Sequence, residues 1–359
     1  MLRLEPRKER SRAMALAAPV IAVVLTMIFG MILFALLGKD PVRAIVTIFW
    51  EPLTNDFTRS ELLVKGTPLV MIAVGLAMGF RAGIWNIGAE GQFIVGAIAG
   101  GAAGLAVYDT QGVWVLPMMC LAGAAAGAAW ALIPAILKVK FNANEILVSL
   151  MLVYVAGLWL SALVTGPLRD PDGFNFPESR LFHDSATLPI LLEGTRAHVG
   201  ALVALAAVLI GWAVMERHEY GFSLKLFGQA PRAARFAGFS QSRSVLLAMA
   251  VSGGLAGLAG TFEASGPVGQ LVPGLPAGYG FTAIIVAFLG RLHPAGILLA
   301  GLLMALTYIG GEGAQLAMQL PAAAISVFQG MLLFFLLGMD VFSRYRLAPA
   351  PRGARKGAA

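Results

Sequence analysis

The sequence predicts an all-α polytopic membrane protein: about ten transmembrane helices in two loosely related halves, with both termini cytoplasmic. Three observations carry this. Of 359 residues, 58% are hydrophobic and 13% charged, where a soluble domain is nearer about a quarter charged. Mean hydropathy is +0.80, and apolar runs long enough to cross a ~30 Å hydrocarbon core recur from end to end. Lys and Arg collect in alternate connections between those runs, as the positive-inside rule requires. Repeated spans with short connections argue for one transmembrane domain, 13–343, between basic tails at 1–12 and 344–359.

The first apolar run, Ala13–Gly38, follows Arg3, Arg7, Lys8, Arg10 and Arg12. It exceeds the ~7–15 residues of a signal-peptide core, so it reads as an uncleaved first span. Further spans are expected at 62–80, 86–107, 113–137, 145–165, 198–216, 244–263, 279–290, 294–312 and 321–339. The run 279–290 is too short to cross alone and suggests a broken or re-entrant helix. With the N-terminus inside, the inner segments hold 19 Lys and Arg and the outer ones 7, so both ends fall on the cytoplasmic side. The net charge of +7 follows from this distribution and does not point to nucleic acid.

Two connections are long. The outer one, 166–197, mixes Pro167, Pro171, Pro177 and Pro189 with Asp170, Asp172, Glu178, Asp184 and Glu193, and reads either as an ordered docking cap or as a linker. The inner one, 217–243, is basic and helix-forming around Leu224–Gly238. The halves are loosely alike. The second span with Asn86–Gln92 is echoed by the seventh with the Gly/Pro-rich stretch Gly266–Gly280, and interrupted segments at matching places mark binding sites in many transporters.

Chemistry concentrates at Arg81–Gly104. Asn86, Glu90 and Gln92 stand at the mouth of an apolar, small-residue run, and helical spacing would set Asn86, Glu90 and Phe93 on one stripe. Gly96, Gly100 and Gly104 give the small-xxx-small pattern of closely packed membrane helices. A carboxylate in lipid is costly, so Glu90 faces a bundle interior or a wet cavity. Two roles are open to it: hydrogen bonding to solute hydroxyls or ring nitrogens, or capping a helix start. Trp85 and Phe93 are candidates to stack on a flat base, or to anchor and pack. The expected solute pathway is therefore Trp85, Asn86, Glu90, Gln92 and Phe93. Glu263 and Glu312 read as rim residues. Gln270, Tyr279, Thr282, Gln315 and Gln329 either line a cavity or bond helix to helix.

Cys120 stands alone in an apolar run, and His183, His198, His218 and His293 lack metal-ligand spacing. No acid/base pair, nucleophile triad or G-x-x-x-x-G-K-[ST] loop occurs. The chain is expected to bind no metal or cofactor and to perform no covalent chemistry.

Two segments resemble a known family. Asn86-Ile87-Gly88-Ala89-Glu90-Gly91-Gln92 is similar, without a gap, to the N-I-G-A-E-G-Q signature of permeases of bacterial ABC importers. These form the branched-chain amino acid and simple-sugar permease superfamily, here in the nucleoside subgroup associated with a basic-membrane-protein lipoprotein. Gly228-Gln229-Ala230-Pro231-Arg232-Ala233-Ala234-Arg235-Phe236-Ala237-Gly238 resembles its G-x-N-x-x-A-A-x-x-A-G-I segment, with Gln229 and Phe239 as mild departures. The resemblance covers nearly the whole chain. It implies alternating access in the bacterial inner membrane, with ATP-Mg hydrolysed on a separate ATPase subunit. The coupling loop that seats in that ATPase would be Gly228, Gln229, Arg232, Ala233, Ala234, Arg235, Ala237 and Gly238. It also implies a second related permease, an outer solute-binding lipoprotein, and a nucleoside as solute. A simple sugar is the alternative within the class. A proton-coupled transporter working through Glu90 is the alternative outside it.

Overall fold

The structure, a computed structural model, describes residues 2–6 and 12–349. Arg7, Lys8, Arg10, Arg352, Arg355 and Lys356, part of the charge argument, lie outside the described residues. In order the elements are β1 (Leu2–Pro6), α1 (Arg12–Leu36), α2 (Pro41–Phe49), α3 (Glu51–Thr54), α4 (Asp56–Arg81), α5 (Ala89–Ala106), α6 (Val115–Phe141), α7 (Glu145–Thr165), α8 (Gly200–Arg217), α9 (Glu219–Gln229), α10 (Pro231–Phe236), α11 (Gln241–Glu263), α12 (Tyr279–Leu289), α13 (Pro294–Met318), α14 (Ala322–Arg344) and β2 (Tyr345–Pro349). Among the described residues, eight helices are long and apolar enough to cross a membrane, and α12 and the apolar part of α14 are shorter. This is the predicted set of ten, with α2 and α3 added in the segment after the first span.

The chain divides into two compact units. The first comprises residues 1–52 and 310–359. Its core is Phe34 of α1, Ala44 and Ile48 of α2, Ala314 and Met318 of α13, then Leu320, Ile325 and Phe328. Asp40 starts α2 by accepting from the Val42 and Arg43 amides at 2.9 and 3.1 Å, with Pro41 in the first turn. β1 pairs antiparallel with β2, Leu2 opposite Pro349.

The second unit, 53–309, is built around α11. Small residues let its neighbours close in, as the glycine spacing predicts. Gly96 of α5 lies against Gly257 of α11, and Gly127 of α6 lies between Gly253 and Gly257. Ser252-Gly253-Gly254 is thus a packing surface. Thr261 Oγ1 adds a bond to the Gly96 carbonyl at 3.2 Å. The outward faces of α7 and α8 carry exposed Leu158, Leu209 and Ile210, the apolar surface that lipid would cover.

Both interruptions expected from the sequence are present. After α4 the chain turns at Gly83 (φ +73°) and runs without helix to Gly88. After α11 a π-helical turn, Ala264–Val268, ends at Gly269 (φ +75°), and irregular chain leads to Gly278 (φ +78°) and α12. α12 has 11 residues, about 16 Å, too short to span the core.

Candidate solute pathway and coupling surface

Asn86 is not on the helical stripe with Glu90 and Phe93. Its Oδ1 accepts from the Gly88 amide at 3.1 Å, a local bond that competes with helix, and α5 begins only at Ala89. Its amide nitrogen donates to Gln92 Oε1 at 2.8 Å and to Ser252 Oγ at 3.0 Å, while Gln92 Nε2 returns a bond to Asn86 Oδ1 at 2.9 Å. Ser252 stands eleven residues, about 16 Å, along α11 from Gln241. The segment 82–88 therefore re-enters the helical layer, reaching the level of Ser252 on α11.

Glu90 fulfils the capping role in an unexpected place. It caps α12, not its own helix: Oε1 accepts from the Gly278 amide at 2.9 Å and Oε2 from the Gly280 amide at 2.5 Å. A carboxylate on the otherwise bare first turn of α12 satisfies orphan donors and the positive end of the helix dipole. Any Cβ on Gly280 would meet the backbone of Ala89 and Glu90, so the approach needs glycine there. The two interruptions, 188 residues apart in sequence, are thus one polar node. Asn86, Glu90 and Gln92 are all buried.

The aromatic pair divides. Phe93 is buried edge-on to Tyr279, ring centroids 5.8 Å apart. Trp85, 39% exposed, packs with Phe80 and Phe288, at 5.1 and 5.8 Å, near the turns that follow α4 and α12.

The long connection after α7 is ordered against the second interruption. Phe182 N donates to Gly269 O at 2.8 Å, Ser179 N to Leu271 O at 2.9 Å, and Leu188 N to Ser265 O at 2.9 Å. The Arg196 guanidinium donates to both carboxylate oxygens of Glu61 on α4, at 2.9 and 2.5 Å. Glu263, read as a rim residue, is buried beside Tyr279, whose hydroxyl lies 3.3 Å from Oε1.

At the other end of the bundle, Pro231 splits the expected single helix over Leu224–Gly238 into α9 and α10, because it cannot continue the first. Gly228 backs onto the Arg81 carbonyl. The Arg81 side chain staples three elements, donating to Leu292 O at 3.0 Å, Met215 O at 3.3 Å and Glu216 Oε1 at 2.6 Å. Ala234 is buried, whereas Arg232, Arg235 and Ala237 are exposed, and Phe236 is 94% exposed. Phe236 is a large apolar ring at the tip of a basic surface, which the alanine-centred sequence reading passed over. Its place beside the two arginines was the available signal.

A family profile described as branched-chain amino acid transport system / permease component matches residues 58–337. The chain belongs to that family. Relatives of the permease include a glucose ABC transporter permease of Haloferax volcanii, 38% identical over 97% of this chain and 94% of its own. A guanosine ABC transporter permease of Bacillus subtilis is 31% identical over 89% of this chain and 92% of its own. A nucleoside ABC transporter permease of Lactococcus lactis is 27% identical over 89% of each. No solved structure matches. The permease is the multi-pass membrane subunit of an ABC importer, and works with ATPase and other ABC subunits.

Proposed function

We propose that this permease imports a nucleoside across a bacterial cytoplasmic membrane, paired with a second related permease and fed by an outer solute-binding lipoprotein. The chain itself catalyses nothing and binds no cofactor; ATP-Mg is turned over on the ATPase subunits. The observation that carries the reading is the α9–α10 surface. Gly228 is seated on the Arg81 turn while Arg232, Arg235 and Phe236 point away from the bundle. A push on this surface reaches α4, α8 and the turn after α12 through Arg81. From there it reaches both interrupted segments. Alternating access by concerted movement of those segments is the mechanism this linkage supports.

Nucleoside is preferred because relatives named for guanosine and for nucleosides align over most of the chain. A specific observation also supports a simple sugar: the 38% identical relative is named for glucose. Glu90 does not favour proton coupling, since both its oxygens are committed to backbone amides. The test is purification of the tagged protein from its own membranes, with partners identified by mass spectrometry. Recovery of an ATPase and a second permease, with ATP hydrolysis stimulated by guanosine, supports the reading. Recovery of the protein alone in a preparation competent for uptake overturns it.

A further inference from the structure

A recess opens where α8 ends at Arg217 and α9 begins at Glu219. It is an open cavity of about 600 Å³, lined by the two helix ends and by Phe239 before α11. Its lining charges do not cancel. Arg217 of α8 and Lys225 of α9 are exposed, and among the described residues neither has a hydrogen-bond or ion-pair partner. Arg217 lies 5.2 Å over the Trp212 ring, a contact that gives none of its five N–H donors an acceptor atom. Of the two acids on the lining, Glu216 is matched by Arg81 at 2.6 Å, which leaves Glu219 alone against two cations. His218 adds a further donor: its Nδ1 accepts from the Tyr220 amide at 3.1 Å, which places the proton of the neutral ring on Nε2.

What borders the recess is apolar. Leu202, Leu205, Leu209 and Trp212 are exposed on α8 at i, i+3, i+7 and i+10, one stripe that leads to it. Leu205 stands twelve residues, about 18 Å, from Arg217, enough to follow an acyl chain across one leaflet, half of a ~30 Å core. An indole with a cation just beyond it marks the level of the headgroups. Phe222, exposed and edge-on to Phe239 with ring centroids 6.3 Å apart, carries the apolar border round the corner. Stripe and recess are continuous, and a partner standing in water could cover only the recess. A molecule with an anionic head and a hydrocarbon tail covers both.

We propose that the α8–α9 corner binds the phosphate of an anionic phospholipid, with Arg217 and Lys225 as its donors and the α8 stripe as the track of an acyl chain. The inference needs only that the chain spans a membrane, and it stands whichever solute is carried. A bound headgroup ties the end of α8 to α9, the two helices that meet at Arg81. Binding to the folded assembly alone then protects it against heat by mass action.

The experiment purifies the tagged protein with its partners from its own membranes and places the assembly in nanodiscs. Thermal midpoints are compared in phosphatidylcholine and in phosphatidylcholine mixed with phosphatidylglycerol, and retained lipid is titrated by native mass spectrometry. Phosphatidylglycerol is expected to raise the midpoint and to bind at least tenfold more tightly than phosphatidylcholine, with two charges worth about fivefold each. Arg217→Gln and Lys225→Gln should each weaken its binding about fivefold, and the double variant about 25-fold. Lys225→Arg keeps the charge and should bind within about twofold of wild type. Lys140→Gln removes an exposed charge of α6 outside the recess and should change nothing. Equal affinity for the two lipids overturns the site, as does an equal loss in Lys140→Gln, which would make the effect one of general surface charge. A midpoint raised as much by inorganic phosphate in phosphatidylcholine discs would assign the recess to a free anion and overturn the lipid.

Discussion

The Arg81 carbonyl lies directly against Gly228, in the space that a Cβ would fill. No other residue permits α9 to sit this close to the turn that opens the re-entrant segment. The contact joins the surface proposed to face the ATPase to the turn that leads into the polar node, without an intervening side chain. Gly228→Ala forces either α9 or the turn to shift, an overpacking cost of about 1–3 kcal/mol. The expected outcome is a permease that still inserts, with transport lost and the thermal midpoint of the purified assembly lowered. Unchanged transport would show that the turn yields freely and that the contact transmits nothing.

A second prediction concerns Glu90. Glu90→Gln keeps one oxygen for the Gly278 or Gly280 amide and gives up the charge on the α12 dipole. Glu90→Ala leaves both amides without a partner, each unmade bond costing about 1–3 kcal/mol. Assembly should survive Glu90→Gln with lowered transport, and fail or melt early in Glu90→Ala. Equal transport in Glu90→Gln and wild type, at equal stability, would remove the carboxylate from the mechanism.

His198 sits in the connection before α8, buried, its Nδ1 accepting from the Gly200 amide at 3.1 Å. Burial pushes the imidazole down to about 4, against the opposing influence of the Glu61 charge. Its unfolded value is near 6.5. Between the two, the unfolded chain binds a proton that the folded one refuses, so stability falls as pH drops from about 6.5 toward 4. A depression of this size is worth up to about 3 kcal/mol across that window. Thermal unfolding of the assembly at about pH 7 and pH 5 measures it. His198→Asn, which keeps an acceptor for Gly200 and does not titrate, should flatten the slope.

Much of this was legible in the sequence, and the boundary has a physical cause. Every span was found because hydropathy is summed locally, and the brevity of 279–290 announced the interruption before α12. The glycine ladder at Gly96, Gly100 and Gly104 announced close packing, though not that Gly257, Thr261 and Met119 would fill it. What stayed hidden depends on partners far along the chain. A carboxylate in the first turn of α5 looks like a cap for α5, and nothing local says that it reaches Gly278 and Gly280. Glu263 at a helix end looks like a rim residue, and nothing local says that it is buried beside the Tyr279 hydroxyl, sixteen residues on. Asn86 misled for a different reason: its own side chain ends the helix that its spacing suggested.

The last prediction tests the outer face of α10. Arg235 is exposed, and its nearest contact is a long 3.5 Å bond to the Pro231 carbonyl one turn back, so its side chain holds little of the fold together. Arg235→Glu reverses a charge beside Arg232 without burying anything, and surface changes of this kind alter stability by less than about 0.5 kcal/mol. Any large effect must therefore come from a partner. Co-purification of the ATPase should drop severalfold and transport with it, more steeply at low salt, where screening of surface charge is weakest. Phe236→Ala removes the apolar tip and should weaken the same association with little dependence on salt, since a buried aromatic anchor acts through desolvation. Two variants that lose the ATPase, one with a marked salt dependence and one with little, would mark α10 as the docking element. Intact complexes in both would move docking to another surface.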